Sequence, residues 1–198
     1  MEPVQAPVNE APNSAEVQER MPWQTWSEVP EEPVVGPWFL EVFAGTARLT
    51  MAVLANTVLR VLPPIDFSES EFVKQSFDVL HSPYVPKVLK WLASGWIMAI
   101  HFGTPCTTFS MARKWDGGPP PLRSIDHLYG LPGLAMRDAQ KVHEGNAFLR
   151  LTATWIRACP SGTLWSLENP ASSMLWQTTE AQGLVTDCGG VLHLFDAC

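Results

Sequence analysis

The chain has 198 residues, 46% of them hydrophobic, which is enough for one core with an appendage and too little for two full domains. Its net charge of −7 does not exclude a polyanionic partner. Residues 1–36 hold seven acids against Arg20 and so carry −6 of it, leaving a near-neutral remainder whose Arg48, Arg113, Lys114, Arg123, Arg137, Lys141, Arg150 and Arg157 can neutralise phosphates where they share a face.

Residues 1–36 are rich in Pro and Glu and poor in β-branched residues, and they read as a disordered acidic tail ahead of a domain over 37–198. From Trp38 on, short apolar runs alternate with amphipathic stretches, the pattern of βα units around a mostly parallel sheet with helices on both faces. Strand 38–43 is followed by a turn at Gly45 and a helix over 46–56, with Leu49 and Val53 on one face. Strand 58–61 is closed by Pro63-Pro64. A helix over 85–94 precedes strand 96–102, which is apolar enough to be central. A Gly/Pro-rich loop spans 103–134. The helix predicted over 137–158 places Phe148, Leu151 and Trp155 on one stripe and stops at Pro160 and Gly162. Strands over 163–167 and 191–195 complete the reading, and with nothing after the last of them the chain reads as C-terminally incomplete. No segment is long and apolar enough to span a bilayer, and Met1–Arg20 lacks an apolar targeting core. Cys106, Cys159, Cys188 and Cys198 show no CxxC pair and no zinc-type histidine spacing. They point to a reducing, intracellular compartment, a soluble protein and no metal.

Three segments carry candidate chemistry. Phe43-Ala44-Gly45-Thr46 sits at the first strand-to-helix turn, where a small residue lets backbone N–H groups approach a ligand. Asp66 lies 21 residues past Gly45, the distance at which an acid meets a ribose diol; it equally suits a cap for a helix starting at Phe67. Asp78 fits a hydrogen bond to an adenine amine or a plain turn. Next, Pro105-Cys106, with Ser110 and Arg113 beyond, follows the apolar strand at its C-terminal end, where open α/β sheets place ligands. A thiol there serves as a soft nucleophile or as a small core residue. Finally, Glu168-Asn169-Pro170 ends the next apolar strand. Burial at that strand mouth would let the Glu168 carboxyl hold a proton near neutrality, and the proline biases Asn169 to extended geometry. The alternative is that Glu168 caps the turn 172–176.

In order and spacing, Phe43-Ala44-Gly45, Asp66, Asp78, Pro105-Cys106-x-x-Phe109-Ser110 and Glu168-Asn169 resemble the motifs of the cytosine-5 DNA methyltransferase family over residues 38–198. The segments 104–110, 117–123 and 168–176 are similar in particular to a divergent, retroelement-associated branch known from dinoflagellates. The resemblance implies a Rossmann-like methyltransferase fold and S-adenosyl-L-methionine as cofactor, held by Phe43, Ala44, Gly45, Thr46, Asp66, Asp78 and Pro105. Cytosine-containing DNA would be the substrate, with the base flipped out of the helix and contacted by Ser110, Arg113 and Asn169. Cys106 would add to C6 of the ring and Glu168 would protonate N3; in a eukaryote the site of action would be the nucleus. The chain departs from the family at Thr46-Ala47, Thr107 and Pro170. It has no Arg or Lys after Arg157, so the family's Arg-x-Arg and target-recognition region would lie beyond Cys198. The rival class is a noncatalytic remnant of a retroelement polyprotein that keeps the sheet and binds cofactor or nucleic acid weakly. An amino-methylating enzyme would need more than Ser82-Pro83-Tyr84, and a nicotinamide enzyme a fuller glycine motif.

Overall fold

The computed structural model describes residues 14–111 and 119–195. The fold is mixed α/β, with a four-stranded parallel sheet in the order β2-β1-β3-β4. Here β1 is Trp38–Val42, β2 Arg60–Val61, β3 Ile97–Phe102 and β4 Leu164–Leu167. The helices are α1 (Ser14–Arg20), α2 (Arg48–Asn56), α3 (Val85–Ala93), α4 (Met136–Ala158) and α5 (Thr179–Cys188). The chain forms two compact units, 1–100 and 101–198, and the divide falls inside β3. Among the described residues no helix is long and apolar enough to cross a membrane.

In the first unit, β1 is buried along its whole length and pairs in parallel with β2, Trp38 opposite Arg60. On α2 the buried positions are Thr50 and Leu54, while the face that carries Leu49 and Val53 is exposed at Leu49 and half-buried at Val53. The reason is polar: both the backbone N–H and the hydroxyl of Thr50 donate to Glu41 Oε2, at 2.7 and 2.5 Å, which turns the Thr50 face of the helix inward. Burial raises the Glu41 carboxyl's pKa against those two hydrogen bonds, and the charge of Asp66 pushes it the same way as burial. Thr50→Val leaves a buried carboxylate without its hydroxyl donor and is expected to destabilise by about 1–3 kcal/mol. Thr50→Ser should restore most of that loss in a urea titration; an equal loss in both variants would refute the hydrogen bond as the cause.

The segment read as a tail packs against this unit from α1 onward. Trp26 is 1% exposed and Met21 and Val29 are buried with it. Trp26 donates Nε1–H to Pro63 O at 3.0 Å and its own N–H to Gln75 Oε1 at 2.8 Å. Trp23 stacks on Trp38 with ring centres 5.1 Å apart. Lys87, buried on α3, donates to the carbonyls of Trp26 and Val29 at 3.1 and 2.8 Å and pairs with Glu31. Low average hydrophobicity conceals three residues that each bury a large apolar surface.

In the second unit, α4 buries Val142, Gly145, Asn146, Leu149, Thr152, Ala153, Trp155 and Ile156. Phe148 and Leu151, expected on the inner stripe, are only half-buried. The inner face mixes Val142, Leu149, Trp155 and Ile156 with Gly145, Asn146 and Thr152, and the small and polar positions interrupt the apolar stripe that the sequence would otherwise show. Helix α5 was not predicted. It is capped by Thr178, whose hydroxyl accepts from Ala181 N–H, and ends at Gly189 in the left-handed region at φ 67°. Those are ordinary start and stop signals that a Thr-Thr-Glu beginning and a Gly-Gly end make readable. Residues 191–195, expected as a strand, form no regular element; Val191, Leu192, Leu194 and Phe195 are exposed.

Candidate functional site

The second unit brings the Cys106 and Glu168 segments to one end of adjacent strands. Glu168 N–H donates to Phe102 O at 2.9 Å, so the chain leaves β3 and β4 side by side at their C-terminal ends. Beyond β3, the Thr104 hydroxyl shares a hydrogen bond of 2.9 Å with Thr152 on α4, and both are buried. Asn169 Nδ2 donates to Thr104 O at 2.7 Å. Cys106 then opens a tight turn whose carbonyl accepts the N–H groups of Phe109 and Ser110, each at 2.9 Å. Phe109 is fully buried in a cluster with Leu149 and Leu175, and its carbonyl accepts from Met174 N–H. Half-buried Cys106 and Pro105 therefore stand on a loop fastened at both ends, with Ser110 at its far end.

Glu168 is exposed, so the burial expected for it is absent. It does not cap the following turn either, because Ser173 does, accepting from Leu175 N–H. Asn169 is 8% exposed, and its Oδ1 is the side-chain atom among the described residues that is buried without a hydrogen-bond partner. A cavity of about 810 Å³ is lined by β4, α5 and residues 189–195. It takes in Glu168 and Asn169, together with Trp165, Trp176 and Leu184, but not Pro105, Cys106 or Ser110. Cys106 and Glu168 therefore do not share this cavity. Arg113 lies outside the described residues. Of the cations expected to meet phosphate, Arg123 is buried, while Lys141, Arg150 and Arg157 pair with Asp138, Glu180 and Asp187.

Sequence reasoning passed over His101. Its Nδ1 lies 2.8 Å from the Ser166 hydroxyl, strand to strand, and burial lowers its pKa. A depressed folded-state pKa means that the neutral ring is the one that folds. Its contribution is complete above the ordinary value near 6.5 and is lost as pH falls below it. Between pH 7 and 5.5 the urea midpoint should fall more for the parent chain than for His101→Gln; identical slopes would exclude His101 as the source.

In the first unit, the turn after β1 has three residues in the left-handed region: Phe43 at φ 59°, Gly45 at 55° and Ala47 at 56°. Two of these carry a Cβ, and such backbone is sparsely populated unless the surroundings hold it. Here they do: Ala44 N–H donates to Ile65 O, Ala47 N–H to Ala44 O, and Gly45 N–H to Asp66 Oδ2 at 2.8 Å. Asp66 Oδ1 accepts from Ser68 N–H at 2.9 Å, a local turn rather than the cap of a helix, and no helix forms there. No atom lies within 4 Å of where a Cβ on Gly45 would stand, so the turn is open on that side, and Thr46 beside it is exposed. Helix α2 begins at Arg48, two residues later than expected, because Ala47 is left-handed. Asp78 accepts from Leu80 N–H and pairs with His81 Nδ1, both at 2.9 Å. Burial raises the pKa of its carboxyl, but the bonds from His81 and from that N–H outweigh it and hold the group below the ordinary carboxylate range. Each carboxylate keeps unused lone pairs after these contacts. With the Gly45 N–H already taken by Asp66, what these residues leave for a hydroxyl or amine donor is the remaining lone pairs of Asp66 and Asp78.

Among the described residues no three His, Cys, Asp or Glu are grouped to hold a metal, and Cys106, Cys159 and Cys188 are free thiols. No family model, curated protein or solved structure gives a match to this chain.

Proposed function

We propose that the chain is a cytosine-5 DNA methyltransferase-like protein with a Rossmann-like methyltransferase fold, using Cys106 as nucleophile, Glu168 as acid and S-adenosyl-L-methionine as methyl donor. One observation carries this reading: Asn169 ties the Cys106 loop to the end of β4 through Thr104 while its own Oδ1 stays buried and unsatisfied. A buried acceptor without a partner is rare and suits a ligand that brings a donor, such as an exocyclic amine. The thiol and the carboxyl emerge from neighbouring parallel strands at the end where α/β sheets bind ligands.

On this reading Phe43–Thr46, Asp66 and Asp78 hold the cofactor, with Pro105 shaping the turn beside the thiol. When bound, S-adenosyl-L-methionine supplies an electrophilic methyl group on sulfonium. The Cys106 sulfur bonds to C6 of cytosine while Glu168 delivers a proton to N3, which makes C5 nucleophilic. Once C5 carried the methyl group, loss of its proton to a water or hydroxide base would expel the Cys106 thiolate from C6, and the N3 proton would return to the Glu168 carboxylate. A fluorine at C5 blocks that last proton loss and traps the adduct. The second reading, a binding-only remnant, is favoured by the exposure of Glu168. Duplex DNA containing 5-fluorocytosine, incubated with chain and cofactor, separates them. A covalent band that survives denaturation supports the enzyme; cofactor binding by calorimetry with no band supports the remnant.

A further inference from the structure

Arg123 is 2% exposed, and among the described residues no carboxylate pairs with it. Its guanidinium is satisfied by neutral oxygens instead. Nε donates to Thr108 O at 3.1 Å, Nη1 to Leu128 O at 2.6 Å and Asn146 Oδ1 at 2.7 Å, and Nη2 to Thr108 Oγ1 at 2.8 Å and Val142 O at 3.3 Å. The plane stacks on Phe109, with its central carbon 3.7 Å from the ring centre. Burial lowers its pKa to about 10, so it remains a cation at neutral pH. A buried cation without a counter-ion is expensive to keep, and an apolar residue of similar volume would often serve stability as well. What an apolar residue lacks is a rigid fork that grips several acceptors at once.

Two of those five bonds and the stacking contact land on Thr108 and Phe109, the second and third residues after Cys106. The remaining bonds reach Leu128 on the following loop and Asn146 and Val142 on α4. Gly145, one turn of α4 away, completes the fit: a Cβ there would stand 2.6 Å from Thr108 Oγ1 and 3.0 Å from Arg123 Nη2. The helix therefore leaves room only for this loop with this arginine beneath it. We propose that Arg123 is a positioning residue that sets where the Cys106 sulfur points, by clamping Thr108–Phe109 to α4. Its part in catalysis rests on Cys106 being the nucleophile; its grip on the loop does not.

The test uses the full chain, Arg123→Met, and Gly145→Ala, which favours the helix while crowding Thr108. Alkylation by iodoacetamide is followed at each cysteine by peptide mass spectrometry, with Cys159 and Cys188 as internal references. Release of the clamp should raise the Cys106 rate by roughly threefold or more over the references in both variants. Adduct formation with 5-fluorocytosine DNA should slow by about a hundredfold, and affinity for S-adenosylmethionine should hold within about twofold. A merely structural arginine would raise all three cysteines together and weaken cofactor binding as well; that result, or an unmoved Cys106 rate in both variants, overturns the proposal. If Arg123→Met fails to fold, Gly145→Ala decides alone. A parent chain that traps no DNA defeats the methyltransferase reading, and the alkylation comparison still decides the clamp.

Discussion

Cys106→Ala is expected to abolish the covalent band with 5-fluorocytosine DNA and to lower any methyl transfer by roughly 10⁴- to 10⁶-fold, the scale on which loss of a nucleophile acts. The turn it occupies is held by the Thr104–Thr152 and Thr104–Asn169 hydrogen bonds and by the buried Phe109 ring, none of which involves the sulfur. The variant should therefore fold as the parent does. Cys159→Ala serves as the control. Burial, with the nearby Cys188 adding to it, pushes the Cys159 thiol up to about 11, so this group is almost wholly protonated at neutral pH and its loss should leave trapping unchanged. Loss of the band in both variants would point to unfolding, and persistence of the band in Cys106→Ala would exclude the sulfur at 106 as the attacking atom.

Trp26→Ala is expected to destabilise the first unit by about 3–5 kcal/mol, the range for deleting a large aromatic from a core. The indole is 1% exposed, lies edge-on to Phe77 at 6.1 Å and donates to Pro63 O. Its removal leaves a void and an orphaned carbonyl together. The same ring backs residues 63–77, which include Asp66 and contain little regular structure, so cofactor affinity should fall along with stability. Urea unfolding followed by tryptophan fluorescence, with calorimetric titration of S-adenosylmethionine, reads both effects. A change of less than about 1 kcal/mol would mean that residues 21–32 do not pack in solution as described.

Much of this was legible in the chain. The alternation of apolar runs with amphipathic stretches identified β1, α2, α3, β3, α4 and β4 to within a few residues, because their periodicities reflect a local choice between strand and helix. The C-terminal ends of β3 and β4 could be placed side by side, since parallel α/β connections leave few alternatives. The α5 helix was equally encoded by Thr178 and Gly189, in signals that a search for apolar periodicity passes over. Other features had no local signature. Thr50 faces inward because Glu41, nine positions earlier, is buried beside it. The acidic segment 21–32 is ordered because Trp23 and Trp26 meet Trp38 and Phe77, contacts that average composition cannot register. Arg123 reads as a free cation for phosphate, yet it is interior, since Thr108, Leu128, Val142 and Asn146 converge on it from distant positions. Residue order settles most of which segments become strands, helices and loops, for those preferences act over a few neighbours; which polar groups are withdrawn from water depends on partners outside that local window, and that is known only when the chain has closed upon itself.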